Sequence, residues 1–252
     1  MPIAREGLRE IMLATLVLGG GAAAGFFFWW PLAIPFLALW VFVIAFFRDP
    51  NRRRVHTAGA LCSPADGTVT EITELPSSSM LERPGVRIGI FLSIFNVHIN
   101  RAPCAGVVRS TSYRRGEYLD ARHEESGARN ESNTLVIDPE SPIPGPIVVR
   151  QVAGWVARRI ICHASAGTRL GMGERFGMIK FGSRTELVIP RLPGTEIKVK
   201  VGDRVRAGLT VLASQAVGRT ASEKAMKYDE HAQEGPSVAA PQRLAESTGV
   251  KQ

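Results

Sequence analysis

From Ile11 to Phe47 the chain carries no charged side chain: 37 consecutive residues, IMLATLVLGGGAAAGFFFWWPLAIPFLALWVFVIAFF, with Thr15 the only hydroxyl. As one helix this run would be about 55 Å long, against about 30 Å of hydrocarbon in a bilayer. Pro31 and Pro35 follow Trp29 and Trp30 near its middle. A proline inside a helix removes a backbone hydrogen bond and clashes with the preceding turn. The run therefore predicts two short helices, roughly 11–30 and 32–47, folded as a membrane hairpin or re-entrant pair. It is far too long for a cleaved signal peptide, and no small-residue cleavage site ends it. Arg5 and Arg9 precede it; Arg48, Arg52, Arg53 and Arg54 follow. Positive flanks stay cytoplasmic, so both ends are expected on the cytoplasmic face of the cell (inner) membrane, with the second cluster near anionic headgroups.

This segregation changes how the composition reads. A net charge of +8 over 252 residues invites a nucleic-acid partner. The arginines gather beside the apolar run, however, and no stacking or groove-reading motif is present, so no nucleic acid is expected. A hydrophobic share of 45% excludes wholesale disorder and is too low for a polytopic transporter. Cys62, Cys104 and Cys162 are an odd, sparse set that suits a reducing compartment. With lone cysteines and five scattered histidines, no metal site is expected.

Beyond the basic flank the chain reads as β-rich. Apolar runs of strand length recur between glycine and proline punctuation at 86–95, 134–137, 147–154, 156–163, 185–190 and 196–201. The polar stretch 114–130 predicts a surface loop or short helix, and the chain from Ser214 onward a polar, disordered tail. One internal repeat stands out: 166–179 aligns with 201–212 at a spacing of 35. Gly167 matches Gly202, Arg169 matches Arg204, Leu170 matches Val205, Gly173 matches Gly208, and Phe176 matches Val211. A turn, a buried aliphatic and a second turn, repeated, resemble the hairpins of lipoyl- and biotinyl-like barrel-sandwich folds. The expected fold is mainly β, a barrel-sandwich hybrid core behind the helical hairpin. Three segments follow: an anchor and basic flank (1–54), a β-rich domain (55–213) and the tail (214–252).

Three short stretches carry candidate chemistry. In SPADGTV (63–69), Asp66 sits in a strong turn signal. In SIFNVHINRAP (93–103), His98 ends an apolar run with Asn96, Asn100 and Arg101 close by, an imidazole and a guanidinium suited to proton transfer and anion binding. In RFGMIKFGSRTELVIP (175–190), Gly182-Ser183 lies between a hydrophobic strand pattern and Arg184. Each alone reads more simply as a turn or a packed histidine.

In this order, a hydrophobic hairpin, PADG, FNVHINRAP and FGS before the last strands resemble the phosphatidylserine decarboxylase family. The likeness is closest to its short, archaetidylserine-type branch, and covers most of residues 40–213. RNESN (129–133) and GERFGMIKFGS (173–183) belong to it. The resemblance implies a proenzyme that breaks its own Gly182–Ser183 bond, leaving chains 1–182 and 183–252. Ser183 then becomes a covalent pyruvoyl cofactor, which decarboxylates phosphatidylserine in the membrane. Ser183, His98 and Asp66 are the implied catalytic group, by the logic of a serine-protease triad turned on its own chain. Arg101 and Arg184 are candidates for holding the phosphate or carboxylate, with Asn100, Asn130 and Asn133 as further substrate-binding candidates. Many longer relatives have a second histidine where this chain has Arg101, which cannot act as a base at neutral pH. Either His98 serves both steps or another group assists, His163 being the first candidate. A homo-oligomer is also compatible with the sequence. The rival reading is a membrane-anchored lipoyl-like adaptor or carrier without catalytic activity.

Overall fold

The apolar run breaks where its tryptophans and prolines fall. A computed structural model describes residues 2–52, 57–76, 81, 83–121, 123, 125–140, 142–155, 159–180 and 182–215. Helix α1 (Leu8–Phe28) and helix α2 (Ala33–Phe46) are joined by a single 3₁₀ turn at Trp30–Leu32. Thr15 accepts a hydrogen bond from the Trp40 indole at 2.9 Å, which ties the two helices together. By length and composition α1 can cross a membrane, and its most apolar window is only 6% buried. The two ends meet. Ile3 bridges Arg48 in antiparallel fashion, Ala4 N–H donates to the Phe47 carbonyl at 2.8 Å, and Asp49 N–H donates to that of Pro2 at 2.9 Å. The chain thus leaves the hairpin on the side where it entered.

The body is antiparallel β-structure. Its strands are β1 (Ala60–Cys62), β2 (Gly67–Leu75), β3 (Gly85–Leu92), β4 (Ile99–Arg101), β5 (Gly106–Arg114), β6 (Ser132–Pro139) and β7 (Ile147–Val152). They continue as β8 (Arg159–Cys162), β9 (Arg169–Leu170), β10 (Arg175–Lys180), β11 (Ser183–Pro190), β12 (Thr195–Ile197), β13 (Arg204–Val205) and β14 (Val211–Gln215). A curled eight-stranded sheet has the order β13-β2-β3-β11-β7-β6-β5-β9, and two three-stranded sheets run β4-β10-β8 and β1-β14-β12. The main core lies inside the curl, with Leu61, Val69, Ile90, Leu92, Leu135, Val149, Phe176 and Leu187 among its buried members.

Several expected boundaries move. The run 86–95 stops as a strand at Leu92 because Asn96 closes a turn back onto Ser93. The run 196–201 yields only β12, since Asp203 caps a turn at Lys200. Within 114–130 one short helix, α3 (Ser126–Arg129), forms. Strands β2 and β5 escape the apolar-run criterion because their outer halves are polar and more exposed. Ser214 and Gln215 finish β14, and the remainder of the expected tail lies outside the described residues, as do Arg53, Arg54 and 156–158.

The repeat is real in three dimensions and longer than its sequence match. Leu170 in β9 pairs with Gly106 of β5, and Val205 in β13 pairs with Gly67 of β2. Val108 donates to the Thr168 carbonyl and Val69 to that of Asp203, both at 2.9 Å. Gly173 donates to Ala102 and Gly208 to Ser63, both at 2.8 Å. SPADGTV (63–69) therefore has a counterpart, APCAGVV (102–108), and Ala105 stands where the first turn has Asp66.

Several contacts join hairpin and body, an apolar cluster and a buried charge pair among them. Ala4, Phe46 and Phe47 pack with Val97, Ile99 and Met178 in a second apolar cluster. Just past α2, buried Asp49 pairs with Arg101 at 2.8 Å and with Arg175. Removing one member of a buried pair strands the other's charge, at a cost of about 3–5 kcal/mol. Asp49→Ala is expected to lower unfolding stability by about that much in detergent-solubilised protein, read from denaturant midpoints. The double change Asp49→Leu/Arg101→Met should lose less, and an equal or larger loss would show that the pair is not the source.

Candidate active site

The chain leaves one sheet at Lys180 and enters another at Ser183. Strand β10 belongs to the small sheet with β4 and β8, whereas β11 is hydrogen-bonded on both sides, to β3 and β7, in the large one. Gly182 makes the corner with φ +58°, a left-handed conformation that costs an L side chain about 1–2 kcal/mol. Its carbonyl is pressed against Gly154, where a Cβ would lie 2.1 Å from the oxygen. Glycine is needed at 182 for its backbone angle and at 154 for this close approach.

Ser183 is the first residue of β11, paired with Leu92, and is fully buried. Its Oγ is one of five buried side-chain polar atoms without a hydrogen-bond partner among the described residues. A buried hydroxyl left unpaired loses its hydration without return. Another of the five is Nε2 of His98. His98 follows the Ser93–Asn96 turn that extends β3 past Leu92, and its carbonyl accepts from Ile179 N–H of β10 at 3.2 Å. Backbone pairing thus brings His98 to the strand that leads into the corner, and Ser183 to the strand that leads to His98.

The protonation state of His98 follows from its partner. Nδ1 lies 3.0 Å from the Asn96 carbonyl, which can only accept. Nδ1 therefore carries the proton, and Nε2 presents a lone pair. The ring is fully buried and packs 4.3 Å from the Phe46 ring. Burial pulls the imidazole down to about 4; the Asn96 bond opposes this, Arg48 adds to it, and the Asp66 charge opposes it. At neutral pH His98 is an unprotonated base.

Asp66 reaches His98 only through its field. Its carboxylate takes both Arg52 amino groups, at 2.6 and 2.7 Å, and accepts from Ala207 N–H at 2.8 Å. Its counterpart Ala105 shows that the turn itself needs no acid there. The two candidate guanidiniums are also engaged. Arg101 holds Asp49 and the Gly173 and Pro50 carbonyls. Arg184 points to the opposite face of β11 from Ser183, because side chains alternate along a strand, and pairs with Glu71 and with Glu186 at 2.9 Å. Burial alone would raise the Glu71 carboxyl, but hydrogen bonds from Thr73, Arg184 and Arg87 hold it at about 2.

Thr185 shares the Ser183 face. It accepts from Asn100 at 3.1 Å, whose Oδ1 accepts from Gln151 at 2.9 Å; Gln151 in turn accepts from Asn133 at 3.1 Å. This buried amide chain lies behind the corner. Asn130 stands outside it, tying Leu119 to Ala153 through three bonds of 2.8–2.9 Å. The His163 side chain is largely exposed and bonds Glu6 at 2.8 Å. Gln151, Gly154 and Arg52 were not singled out as site residues from sequence. Gln151 had a readable signal, a polar side chain inside the apolar strand IVVRQV.

Comparisons with known proteins find relatives over most of the chain. The family model described as phosphatidylserine decarboxylase matches residues 39–213. The chain is similar to the phosphatidylserine decarboxylase proenzyme of Rhodopirellula baltica, 46% identical over 220 residues, covering 86% of this chain and 90% of the relative. It is also similar to the proenzyme of that name from Geotalea daltonii, 41% identical over 212 residues, 84% of this chain and 96% of the relative. The proenzyme of Magnetococcus marinus is 43% identical over 175 residues, covering 68% and 78%.

Because His98 charges less readily folded than unfolded, acid works against the fold. Unfolded, the ring takes a proton near 6.5; folded, near 4. Its contribution is complete above about pH 6.5, and about 3 kcal/mol of it is lost by pH 4. Unfolding of the Ser183→Ala protein, followed from pH 7 to 4, should show this slope, and His98→Phe should flatten it. An unchanged slope would remove His98 as the source.

Proposed function

The chain belongs to the phosphatidylserine decarboxylase family, and from that membership we propose that it is a proenzyme that cuts itself at Gly182–Ser183. The processed enzyme converts phosphatidylserine to phosphatidylethanolamine and CO₂. The observation that carries this reading is that two buried, unpartnered groups border a left-handed Gly-Ser corner: Ser183 Oγ at the head of β11, and His98 Nε2 on the segment hydrogen-bonded to β10.

Self-cleavage uses this chain's own residues. His98 Nε2 accepts the Ser183 hydroxyl proton as Oγ attacks the Gly182 carbonyl carbon, which glycine leaves unhindered. The Asn96 carbonyl holds the imidazole in the tautomer that leaves Nε2 free. Gly154 fixes the Gly182 oxygen by close packing. The C–N bond breaks, nitrogen takes the proton back from His98, and an ester links the two residues. Loss of the serine α-proton then expels the Gly182 carboxylate by β-elimination and leaves a dehydroalanine at 183. Water converts the latter to a pyruvoyl group with release of ammonia.

The residues present fit such a group. A buried position that gives a serine hydroxyl no partner suits the apolar methyl that would replace it in such a group, and the Asn133–Gln151–Asn100–Thr185 chain has its Thr185 end on the Ser183 face. A pyruvoyl group there supplies a ketone that captures the substrate amine and withdraws the electron pair released with CO₂. His98 is the proton source for the substrate Cα. Arg101 stands where longer relatives have a second histidine and is committed to Asp49, while His163 is committed to Glu6. One histidine therefore serves both steps.

The same reading places the catalytic body on the cytoplasmic face, since both basic ends of the hairpin emerge together. Arg52 is bonded to Asp66 and Ala207, so this member of the flank acts inside the protein. The adaptor or carrier reading is not favoured, because the family match spans the whole β body.

Purified protein is expected to run as fragments of 1–182 and 183–252 on a denaturing gel, the smaller with a blocked N-terminus, and to co-elute when native. Ser183→Ala should run as one uncut, inactive chain. A free serine at the start of the small fragment would refute the pyruvoyl assignment. In Gly154→Ala the new methyl displaces the Gly182 carbonyl from its seat. Processing should slow at least tenfold with the circular dichroism spectrum intact; processing at the parental rate would mean that this contact does not position the bond.

A further inference from the structure

Exposed apolar side chains are expected on the hairpin; three more stand on the β body beside the candidate site. Ile94 is 39% exposed, Phe95 70% and Trp155 72%. Their positions are not scattered. Ile94 and Phe95 are the two central residues of the turn between Leu92, which pairs with Ser183, and His98. Trp155 follows Gly154, which seats the Gly182 carbonyl.

The turn is rigidly built. Asn96 N–H donates to the Ser93 carbonyl at 2.9 Å, and Asn96 Oδ1 accepts from both the Ser93 amide, at 2.9 Å, and its hydroxyl, at 2.8 Å. Arg48, just past α2, donates to the Phe95 carbonyl at 2.5 Å. Turn tips ordinarily take Gly, Asn, Asp or Pro, whereas this one holds an isoleucine and a phenylalanine outward at a cost in hydration. Phe95 also meets the ring of Phe42 edge-on, with centroids 6.0 Å apart. Phe42 lies one turn from the end of α2, so the tip stands level with the last turn of the hairpin's second helix.

We infer that the Ile94–Phe95 tip, with Trp155, is a second membrane contact, which dips into the bilayer interface beside the hairpin and seats the mouth of the site on the lipid surface. The bilayer is the indicated partner because the tip packs on the second helix of an apolar hairpin whose first helix is long and apolar enough to cross a membrane. Aromatic side chains favour this depth, where an apolar ring and polar surroundings coexist. A substrate anchored in the same leaflet would then meet the site without leaving the membrane. This inference rests on the membrane and decarboxylase reading above.

The test uses the full processed protein. A nitroxide is attached at Phe95→Cys in a Cys162→Ala background, leaving Cys62 and Cys104 buried, and the protein is reconstituted in vesicles of phosphatidylglycerol and phosphatidylethanolamine. The label should collide more with oxygen than with an aqueous nickel chelate, as a label at Leu16→Cys in α1 does. Preference for the chelate would overturn the inference, and so would dipolar broadening between labels, which would place a second copy of the chain on the tip. In a second arm, Ile94→Ser/Phe95→Ser should lower turnover of long-chain phosphatidylserine in vesicles about tenfold more than that of a dispersed short-chain analogue. Equal losses on both substrates would mean the tip supports the site rather than docking. A parental protein that decarboxylates neither substrate would fail the enzymatic reading, while the label measurement would still decide the membrane contact.

Discussion

Strand β11 is hydrogen-bonded along both edges, and every one of its residues is buried. Its first residue is the last position at which the chain can be opened without tearing a ladder. On the other side of the corner, β10 is held by a different sheet. A cut between Gly182 and Ser183 therefore releases neither end: residues 175–180 stay paired with β4 and β8, and 183–190 with β3 and β7. That a proenzyme can lose its chain continuity and keep its fold follows from this arrangement. It would also account for the proposed reacting residue, Ser183, heading a strand rather than sitting in a loop. On the proposed mechanism, the two anchored strands would hold nucleophile and carbonyl in place, so that little orientational freedom remains to be lost.

The internal pseudo-symmetry gives a control that a single sequence rarely offers. The turns at 63–69 and 102–108 make equivalent bonds to the two repeated loops, yet one carries Asp66 and the other Ala105. Turn geometry therefore does not demand the acid. Asp66 instead gathers Arg52, from the segment leaving the hairpin, and Ala207 N–H, from the second repeat. Its negative charge also acts on His98. One carboxylate thus links the position of the anchor to the electrostatics of the base. Asp49 does similar work one step earlier along the chain, through Arg101 and Arg175.

Much of this was legible in the sequence, for identifiable reasons. Length and charge exclusion over 37 residues leave few alternatives to a helical pair, and Trp29 to Pro35 mark the bend. The repeat was visible because turns require glycine and cores require aliphatics. The Gly182-Ser183 corner was singled out through family likeness rather than spacing, since a Gly-Ser pair is usually only a turn. What escaped was set by tertiary partners. Nothing local says that Arg101 and Arg184 spend their charge on Asp49, Glu71 and Glu186, nor that Gly154 faces Gly182. The polar outer halves of β2 and β5 hid two strands from an apolar-run criterion, as sheets with one wetter end commonly do. The orienting partner of His98 proved to be a backbone carbonyl, which no side-chain motif can announce.

A buried imidazole near 4 is a base that is always ready and, once protonated, a strong acid. Both properties suit the proposed acyl shift, in which His98 would take a proton from oxygen and return it to nitrogen. Decarboxylation asks for something else: an imidazole that holds a proton long enough to deliver it to carbon. Cleavage itself alters the balance. In the proposed cut the neutral Gly182 carbonyl would become a carboxylate, two residues past the strand whose Ile179 N–H bonds the His98 carbonyl. A nearby negative charge raises an imidazole's affinity for protons. The buried surroundings that make His98 a base in the uncut chain would then, with this added charge, make it a proton carrier in the cut one. A single histidine can thus meet both demands without Arg101 or His163, because the reaction that ends its first task prepares its second.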